Sequence, residues 1–484
     1  MIKNFSNEIL KLSLQNKPVF DKGEHEKYVY DWRGQYHGET IAILKPNDTN
    51  EVSSILNFAN KHKLAVVPQG GNTGLCGGAT PINGQESIVL STEKINKIRS
   101  IDKNTKSLTV ESGVILSDIH DYVEKSDLFF PLNLGAKGSC MIGGNLSTNA
   151  GGINVLKYGN TRELCLGLEV VLPDGNILDL LSDLKKDNTG YDLKNIFIGA
   201  EGTLGIITAA TLKLFPLPKI KLTSFAEAKT ISNAINLLNI FQHEIPNGIE
   251  AFELMPKTFW EVASNNIDNI IMPLDEMPEM GVLIEISSNS EEDAKINSNG
   301  STILNDKLEK ILANSFEKEI ITNATICKNN IESQQLWNIR ERAAESEKKE
   351  LEKTGAIKCL KHDISLPLNN IERFHNEAQL MLNNIAPNSR TIYFGHLGDG
   401  NLHYNIFGDG NLPDGFNKRS IEITEKLYEI VLKYKGSFSA EHGIGQLRKK
   451  SLKIHKNSVA YDLMKNIKNQ LDPKNIMNPG KIFI

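Results

Sequence analysis

The sequence lacks the features that would indicate nucleic-acid binding, membrane insertion or export. Acidic residues outnumber basic ones, 59 to 54, and the formal charge of −5 leaves no excess of basic residues for a nucleic acid. No apolar run reaches the length of about 18 residues expected of a membrane span. The N-terminal stretch has neither the apolar core of a signal peptide nor the Arg-rich character of a transit peptide.

Cysteine is also scarce. The chain has 5 cysteines, an odd number, and they are widely scattered without a Cys-x-x-Cys pair. This pattern predicts neither disulfides nor a structural zinc site. Together with the N-terminal composition, it leads us to expect a cytoplasmic protein, with a peripheral position at the inner face of the membrane as an alternative.

Secondary-structure patterns and the positions of prolines divide the chain into four segments. From Ile41 to Phe215 strand and helix patterns alternate, and prolines at 216 and 218 mark a boundary. We expect an entry segment over 1–36, a ligand-binding domain over 37–217, an α+β domain over 218–438 and a C-terminal helical segment over 439–484. Predicted helices include Thr49–Lys61 with Asp48 as N-cap, Ser117–Lys125 with Ser117 as N-cap, Ile231–Phe241, Ile331–Lys353 and Ala460–Gln470. Predicted strands include Leu108–Glu111, Leu166–Val171 paired with Ile177–Leu180, Gly281–Ser287, Cys359–Ser365 and Thr391–Leu397.

The stretch from Leu64 to Pro81, LAVVPQGGNTGLCGGATP, indicates a ligand-binding loop. Successive backbone N–H groups in a glycine-rich turn can form an anion site. The spacing is GGxxG, and the glycines and proline that follow prevent the helix that a nicotinamide-binding turn requires. The next ordered run, Ser87–Leu90, reads as a strand. The stretch is therefore either a strand–loop–strand phosphate cradle or a glycine-rich surface loop.

Two further glycine-rich stretches favour the cradle. Pro131–Gly159 and Gly199–Thr208 both expose backbone against which a large flat ligand could lie. The three stretches resemble the FAD-binding domain of the vanillyl-alcohol oxidase / p-cresol methylhydroxylase (PCMH) family, with the closest similarity to its D-2-hydroxyacid dehydrogenase branch. The resemblance implies an α+β fold, with a two-part PCMH-type FAD-binding domain, a ferredoxin-like substrate cap and a C-terminal helical return.

The resemblance also implies which residues bind FAD. Many oxidases of the family carry a histidine after the double glycine of the first loop, bound covalently to the flavin. This chain has Asn72 there, so the FAD is expected to be non-covalent. The implied FAD contacts are Pro68, Gly70, Gly71, Asn72, Thr73, Gly74, Gly77, Gly135, Gly138, Ser139, Gly143, Gly144, Asn149, Gly151, Gly152, Glu201, Gly202, Gly205 and Ile206.

Two later motifs, GHLGDGNLHYN and SAEHGIG, carry the histidines of interest. Two histidines and a carboxylate suit a first-row divalent ion with positions left for substrate. From spacing alone the alternative is a structural role, since a lone histidine in a strand is more often a hydrogen-bonded structural residue. The resemblance implies that His396, His403 and Glu441 are ligands of a divalent metal, with Zn²⁺ the expected ion.

The remaining site residues follow from the same resemblance. His442 is the expected general base, since an unperturbed imidazole titrates near neutrality. Arg340 is expected to bind the substrate carboxylate, and Asn405 to contact the substrate. Lys361 matches a lysine used for a second carboxylate. Enzymes specialised for 2-hydroxyglutarate carry a hydroxyl residue four after the arginine, where this chain has Ala344.

The sequence therefore predicts an FAD-dependent, metal-assisted dehydrogenase that oxidises a D-2-hydroxy acid such as D-2-hydroxyglutarate or D-lactate. The expected electron acceptor is a quinone or an electron-transfer flavoprotein, not NAD, and a homodimer is compatible with the chain. Two alternatives remain: an oxidase of glycolate or D-lactate that uses O₂, and a non-redox metal enzyme without flavin.

Overall fold

The computed structural model describes residues 5–298, 300–354, 359–408 and 415–484. The strands are β1 Ala42–Leu44, β2 Ala65–Gln69, β3 Ser87–Ser91, β4 Ile98–Asp102, β5 Ser107–Glu111, β6 Leu128–Phe129, β7 Cys165–Val171, β8 Ile177–Leu180, β9 Ile206–Lys213, β10 Phe215–Pro216, β11 Ile220–Ala228, β12 Ile249–Pro256, β13 Met280–Ser288, β14 Ile321–Ile326, β15 Cys359–Ser365, β16 Arg390–His396 and β17 Asn401–Phe407.

The helices are α1 Phe5–Ile9, α2 Glu26–Val29, α3 Thr49–His62, α4 Leu116–Glu124, α5 Ile142–Thr148, α6 Val155–Tyr158, α7 Lys194–Phe197, α8 Ile231–Glu244, α9 Lys257–Asn266, α10 Ile303–Glu317, α11 Asn330–Glu341, α12 Ala343–Thr354, α13 Ile371–Ile385, α14 Gly415–Lys433, α15 Lys449–His455 and α16 Ser458–Leu471. Short 3₁₀ turns occur at Lys22–Glu24, Leu368–Asn370 and Leu397–Asp399. None of the helices in the described ranges combines the length and the apolar character that crossing a bilayer requires.

The chain folds as two compact units. Unit 1 comprises Met1–Gly152, Tyr158–Leu217 and Glu441–Ile484, and unit 2 comprises Ile153–Lys157 and Pro218–Ala440. The last 44 residues therefore belong to the same unit as the beginning of the chain, although the whole of unit 2 separates them in sequence.

The first part of unit 1 is a parallel sheet in the order β1-β3-β2. Its strands are short buried runs of β-branched and aliphatic residues, which suit a sheet that is covered on its faces. Helix α3 packs its apolar side into the same core. The Asp48 side chain accepts the backbone N–H of Glu51 at 2.9 Å, as an N-cap does. The predicted cap and helix are thus present, with the helix ending one residue later.

The second part of unit 1 is an antiparallel sheet in the order β4-β5-β9-β7-β8. The predicted hairpin is formed by β7 and β8. The C-terminal tail joins the first sheet, where Met477 forms a parallel bridge with Val66 on β2. The Val66 N–H donates to Ile476 O at 2.8 Å, and the Asn478 N–H donates to Val66 O at 2.8 Å. The tail therefore pairs alongside β2, at the edge of the parallel sheet.

Unit 2 is built on a seven-stranded antiparallel sheet in the order β14-β11-β13-β12-β16-β17-β15. Its core contains Trp260 of α9, Ile339 of α11 and Phe394 of β16. Helices thus cover the central strands, and the whole chain has the α+β character expected from the sequence.

Three sequence predictions were wrong in detail. Helix α4 begins at Leu116, its N-cap is Ile115, and no side chain caps it, so Ser117 lies inside the helix. The single helix predicted over Ile331–Lys353 is two helices, α11 and α12, with Arg342 as the C-cap of the first. Helix α5 was missed because its IGGNLST sequence contains two glycines, which are poor helix formers on their own. Tertiary packing stabilises this turn of helix, as Ile142 and Leu146 are fully buried.

Candidate active site

A cleft in unit 1 is lined by the residues predicted to bind FAD. It lies where the loop after β2, the beginning of α5 and the turn before β9 come together. His442, the predicted base, also contributes to its wall. The predicted contacts that line the cleft are Pro68, Gly70, Gly71, Asn72, Thr73, Gly74, Gly143, Gly144, Glu201, Gly202, Gly205 and Ile206.

Close backbone approaches hold these three stretches together. A Cβ atom on Gly71 would lie 2.0 Å from the Ser139 carbonyl oxygen, so the first loop passes the second stretch at a distance that only glycine allows. Gly202 has φ +70°, and a Cβ there would meet Pro68 Cγ at 2.4 Å. By contrast, a Cβ on Gly144 would meet no atom within 4 Å. The walls of the cleft thus depend on the close contacts of two glycines, one with backbone and one with a proline ring, while a side chain on Gly144 would enter open space.

The other predicted FAD contacts lie in unit 1 outside the cleft lining. Asn149 is the left-handed C-cap of α5, and its Oδ1 accepts the Arg162 N–H at 3.0 Å. Gly151 approaches the Glu441 side chain, which a Cβ would meet at 2.7 Å. The full set outside the lining is Gly77, Gly135, Gly138, Ser139, Asn149, Gly151 and Gly152.

Asn72, for which the resemblance implied a non-covalent flavin, holds the entry segment. Its backbone is left-handed, with φ +52°. Its Nδ2 donates to Tyr30 O at 2.8 Å and to Lys27 O at 3.2 Å. The amide therefore ties the first loop to α2 and the residue after it. An amide has no ring nitrogen with which to form the covalent flavin bond.

Glu201 anchors the loop that carries His442. Its carboxylate oxygens accept the N–H groups of Ile444 and Gly445, each at 2.7 Å. Burial raises the pKa of Glu201, and the two amides and the nearby Arg448 oppose that rise. Because the Glu201 carboxylate accepts hydrogen bonds from two successive backbone amides, it fixes the turn that follows His442. This supporting contact could not be read from a motif.

Residues of the C-terminal segment complete the first loop, and sequence reasoning missed them. Gln446 Nε2 donates to Gly77 O at 2.9 Å, and Asn478 Nδ2 donates to Gly78 O at 3.0 Å. Lys481 Nζ donates to Thr80 O at 2.7 Å. All three side chains satisfy carbonyls of a loop that has little secondary structure of its own.

In unit 2 the predicted site residues that belong to strands lie on one face of the sheet, and Arg340 lies on α11. The register pairs Lys361 with Asn405, Asp363 with His403, Phe394 with His403, and Glu253 with His396. Because side chains alternate along a strand, residues two apart and residues directly opposite share a face. The His396 and His403 rings are 5.7 Å apart between centroids, with an interplanar angle of 76°.

Glu253 links two of the predicted site residues. It is fully buried, and its two oxygens accept hydrogen bonds from His396 Nδ1 at 2.5 Å and from Arg340 Nε at 2.7 Å. Burial alone would raise the pKa of Glu253, but the charges of His396 and Arg340 lower it to about 2. An ionised carboxylate only accepts hydrogen bonds, so Nδ1 of His396 carries the proton. In the neutral ring Nε2 then has the lone pair that a metal binds.

Arg340 is held at one end of its guanidinium. The side chain is 10% exposed, and its guanidinium carbon lies 4.9 Å from the centroid of the Phe394 ring. Within the described residues, the bond from Nε to Glu253 is the only hydrogen bond of its side chain. The two terminal amino groups therefore keep the paired donors that match a carboxylate.

Lys361 and Asn405 share another acid. Glu347 of α12 is buried, and it accepts from Lys361 Nζ at 2.7 Å and from Asn405 Nδ2. Neither Glu253 nor Glu347 was predicted from the sequence. The available signal for Glu253 is an acid within the largely apolar strand IEAFELMP, but Glu250 on the same strand gives the same signal. Helix α12 is rich in Glu and Lys, so nothing distinguishes Glu347.

The predicted metal ligands are divided between the units. His396 and His403 lie in unit 2, whereas Glu441 lies in unit 1. With Zn–N bonds of about 2.0–2.1 Å, two imidazoles on one ion have centroids roughly 5–6 Å apart. The spacing of the two rings and the tautomer fixed by Glu253 both fit a metal site. The glycine-walled cleft in turn fits a flavin.

Comparison with known protein families agrees with these features. A model described as the FAD binding domain matches residues 40–181, and one described as FAD linked oxidases, C-terminal domain, matches residues 217–482. The chain belongs to the FAD-linked oxidase family. It is 36% identical to the mitochondrial D-2-hydroxyglutarate dehydrogenase of Arabidopsis thaliana, over 96% of this chain and 79% of the relative.

A mitochondrial protein of Schizosaccharomyces pombe that is classed with the D-lactate dehydrogenases is 36% identical, over 95% of this chain and 85% of that protein. The crystal structure of p-cresol methylhydroxylase with substrate bound matches with a TM-score of 0.71 at 15% identity, over 96% of this chain and 94% of that one. This FAD-linked oxidase therefore has the predicted PCMH-type fold and is a flavin-dependent dehydrogenase of the D-2-hydroxyacid branch.

The expectation of a cytoplasmic location is wrong. The relatives from Arabidopsis thaliana and Schizosaccharomyces pombe, and a D-2-hydroxyglutarate dehydrogenase of Danio rerio that is 37% identical over 93% of this chain and 80% of that protein, are all named as mitochondrial. The expectation rested on composition, charge and cysteine content, which do not distinguish one aqueous compartment from another.

Proposed function

We propose that this FAD-linked oxidase oxidises a D-2-hydroxy acid to the 2-oxo acid with the help of a divalent metal ion, D-2-hydroxyglutarate and D-lactate being the first substrates to test. The observation that carries the proposal is the buried Glu253, which holds His396 and Arg340 together. One carboxylate thereby positions a predicted metal ligand and the predicted substrate cation.

Each residue has a role that follows from its chemistry. Arg340, fixed through Nε, presents its terminal amino groups to the carboxylate next to the reacting carbon. Asn405 and Lys361 lie on the same sheet face and contact the rest of the substrate. His442 accepts the hydroxyl proton on a ring nitrogen, and Glu201 keeps its loop in place.

FAD and a divalent ion would supply the remaining chemistry. FAD held in the cleft of unit 1 would offer flavin N5 as the acceptor of the hydride from the substrate Cα, and an acceptor other than NAD would reoxidise it. A divalent ion held by His396, His403 and Glu441 would act as a Lewis acid and lower the pKa of the substrate hydroxyl.

The first test uses the flavin spectrum of the purified protein. We expect D-2-hydroxy acids, but not their L enantiomers, to bleach the flavin band under anaerobic conditions, and chelation to abolish the bleaching while the flavin stays bound. A dye acceptor supports turnover with or without O₂ if the enzyme is a dehydrogenase. Bleaching that survives exhaustive chelation, with no metal detected, would contradict the metal. Failure of every 2-hydroxy acid would contradict the reaction.

A further inference from the structure

The pairing of Lys361 bears on which 2-hydroxy acids this site accepts. Lys361 on β15 and Asn405 on β17 are directly opposite each other, and both donate to Glu347. The Glu347 side chain is 4% exposed and that of Lys361 is 31% exposed. The ammonium group is therefore within reach of a ligand, whereas the acid behind it is enclosed by protein.

An acid that is enclosed next to a lysine weakens the attraction of that lysine for an anion. The Lys361–Glu347 pair carries no net charge, although the lysine retains donors. A second carboxylate hydrogen-bonded to Nζ would lie roughly 5 Å from the Glu347 carboxylate. Because Coulomb energy falls as the inverse of distance, that repulsion would offset roughly half of the attraction to the ammonium.

We propose that Glu347 is a specificity-determining residue that weakens the preference of this site for dicarboxylic 2-hydroxy acids. The proposal rests on the proposed oxidation of 2-hydroxy acids at this sheet face, and it goes beyond it by assigning the substrate preference to the charge of one acid. Glu347 has two effects. Its oxygen atoms accept the hydrogen bonds that hold Lys361 and Asn405 in place, and its negative charge opposes the binding of a second carboxylate.

The substitution Glu347→Gln separates them. Glutamine keeps the length of the side chain and one acceptor oxygen for Lys361 Nζ but removes the charge. Its NH₂ group can donate to Oδ1 of Asn405 once that amide has turned by 180°, so both contacts are kept. The matched control is Glu345→Gln, two residues earlier on α12, which makes the same change of net charge at an exposed acid paired with Arg342 and Lys349. A third variant, Glu347→Gln with Lys361→Met, tests whether any gain acts through the lysine.

The assay compares D-2-hydroxyglutarate with D-2-hydroxypentanoate, which has the same chain length and a methyl end. With a dye acceptor, we expect Glu347→Gln to raise the ratio of the two kcat/KM values by about tenfold, equivalent to ~1.4 kcal/mol. Glu345→Gln should leave the ratio unchanged, and the double variant should lose the gain. An unchanged or lowered ratio in Glu347→Gln, at wild-type FAD content, overturns the proposal.

A second measurement needs only the wild-type protein, in case the variant does not fold. The dissociation constants of 2-oxoglutarate and 2-oxopentanoate, read from the flavin absorbance, should differ by no more than about tenfold, since a fully charged subsite would give up to roughly a hundredfold. A larger preference for 2-oxoglutarate overturns the role of Glu347. If the wild-type enzyme oxidises no 2-hydroxy acid at all, the proposed reaction itself has failed.

Discussion

Replacement of Glu253 by glutamine tests the link between the buried carboxylate and the proposed metal site. Glu253 accepts one hydrogen bond on each oxygen, from His396 Nδ1 and Arg340 Nε. Glutamine has one acceptor oxygen, and its NH₂ group would face a second donor. The change therefore breaks one contact outright and leaves the Arg340 charge without its buried partner.

The expected magnitudes follow from these contacts. Breaking a buried ion pair on one side costs about 3–5 kcal/mol of folding free energy. Loss of the acceptor that orients a ligating histidine lowers metal affinity by about 10–100-fold. We therefore expect Glu253→Gln to lose metal at a buffered free Zn²⁺ concentration at which the wild-type protein is saturated, and to melt several degrees lower.

Another acid on the same strand provides the control. Glu250 is also fully buried, and it accepts from Lys157 Nζ at 2.7 Å and from Ser287. Glu250→Gln should lower the melting temperature in a similar way but leave metal affinity unchanged. The reasoning is refuted if Glu253→Gln keeps wild-type metal affinity, or if both variants lose metal equally. A wild-type protein that binds no divalent ion would instead contradict the metal itself.

Three further outcomes test the cofactor site and the buried charges of unit 1. Acid denaturation should release FAD into the supernatant, because Asn72 cannot bond to it; flavin that stays with the precipitate contradicts this. Gly144→Ala should leave the apoprotein at least as stable but weaken FAD binding, because a methyl group there meets only the open cleft. Equal FAD affinity by titration would refute it. Burial lowers the pKa of Lys481 to about 7, so the unfolded chain binds more protons from pH 7 to roughly 10.4 and stability rises with pH there. Lys481→Met should therefore raise the melting temperature more at pH 6.5 than at pH 9.5, and equal shifts at both would contradict the burial argument.

The structural features that could be predicted from the sequence are those that depend on residues close together in the chain. The strand Cys359–Ser365 was predicted with its observed ends, because the apolar residues Leu360 and Ile364, which lie on one face, alternate with polar neighbours and give a local signal. Helix α3 was found through Asp48 and its apolar spacing. Helix α5 was missed since its glycines oppose it locally, and only burial in the core of unit 1 compensates for them.

The supporting residues of the site could not be predicted in this way. Glu253 meets His396 because of the register between β12 and β16, and these strands are far apart in the chain. Glu347 reaches Lys361 and Asn405 from α12 because of how that helix packs on the sheet. Such pairings depend on tertiary structure, so the sequence indicated the residues of the site without showing which acids hold them.

The position of the C-terminal segment in unit 1 has a consequence for how the protein is made. The first loop of the flavin cleft depends on residues that the ribosome adds late. Arg448 donates a hydrogen bond to Cys76 of this loop across a separation of 372 residues. At synthesis rates of about 5–20 residues per second, the loop emerges roughly 20–75 s before that partner exists. During this interval the flavin cleft lacks the side chains that hold its first loop. FAD capture is therefore expected as a late event in biosynthesis, and ribosome-bound chains halted before residue 441 should not retain the cofactor.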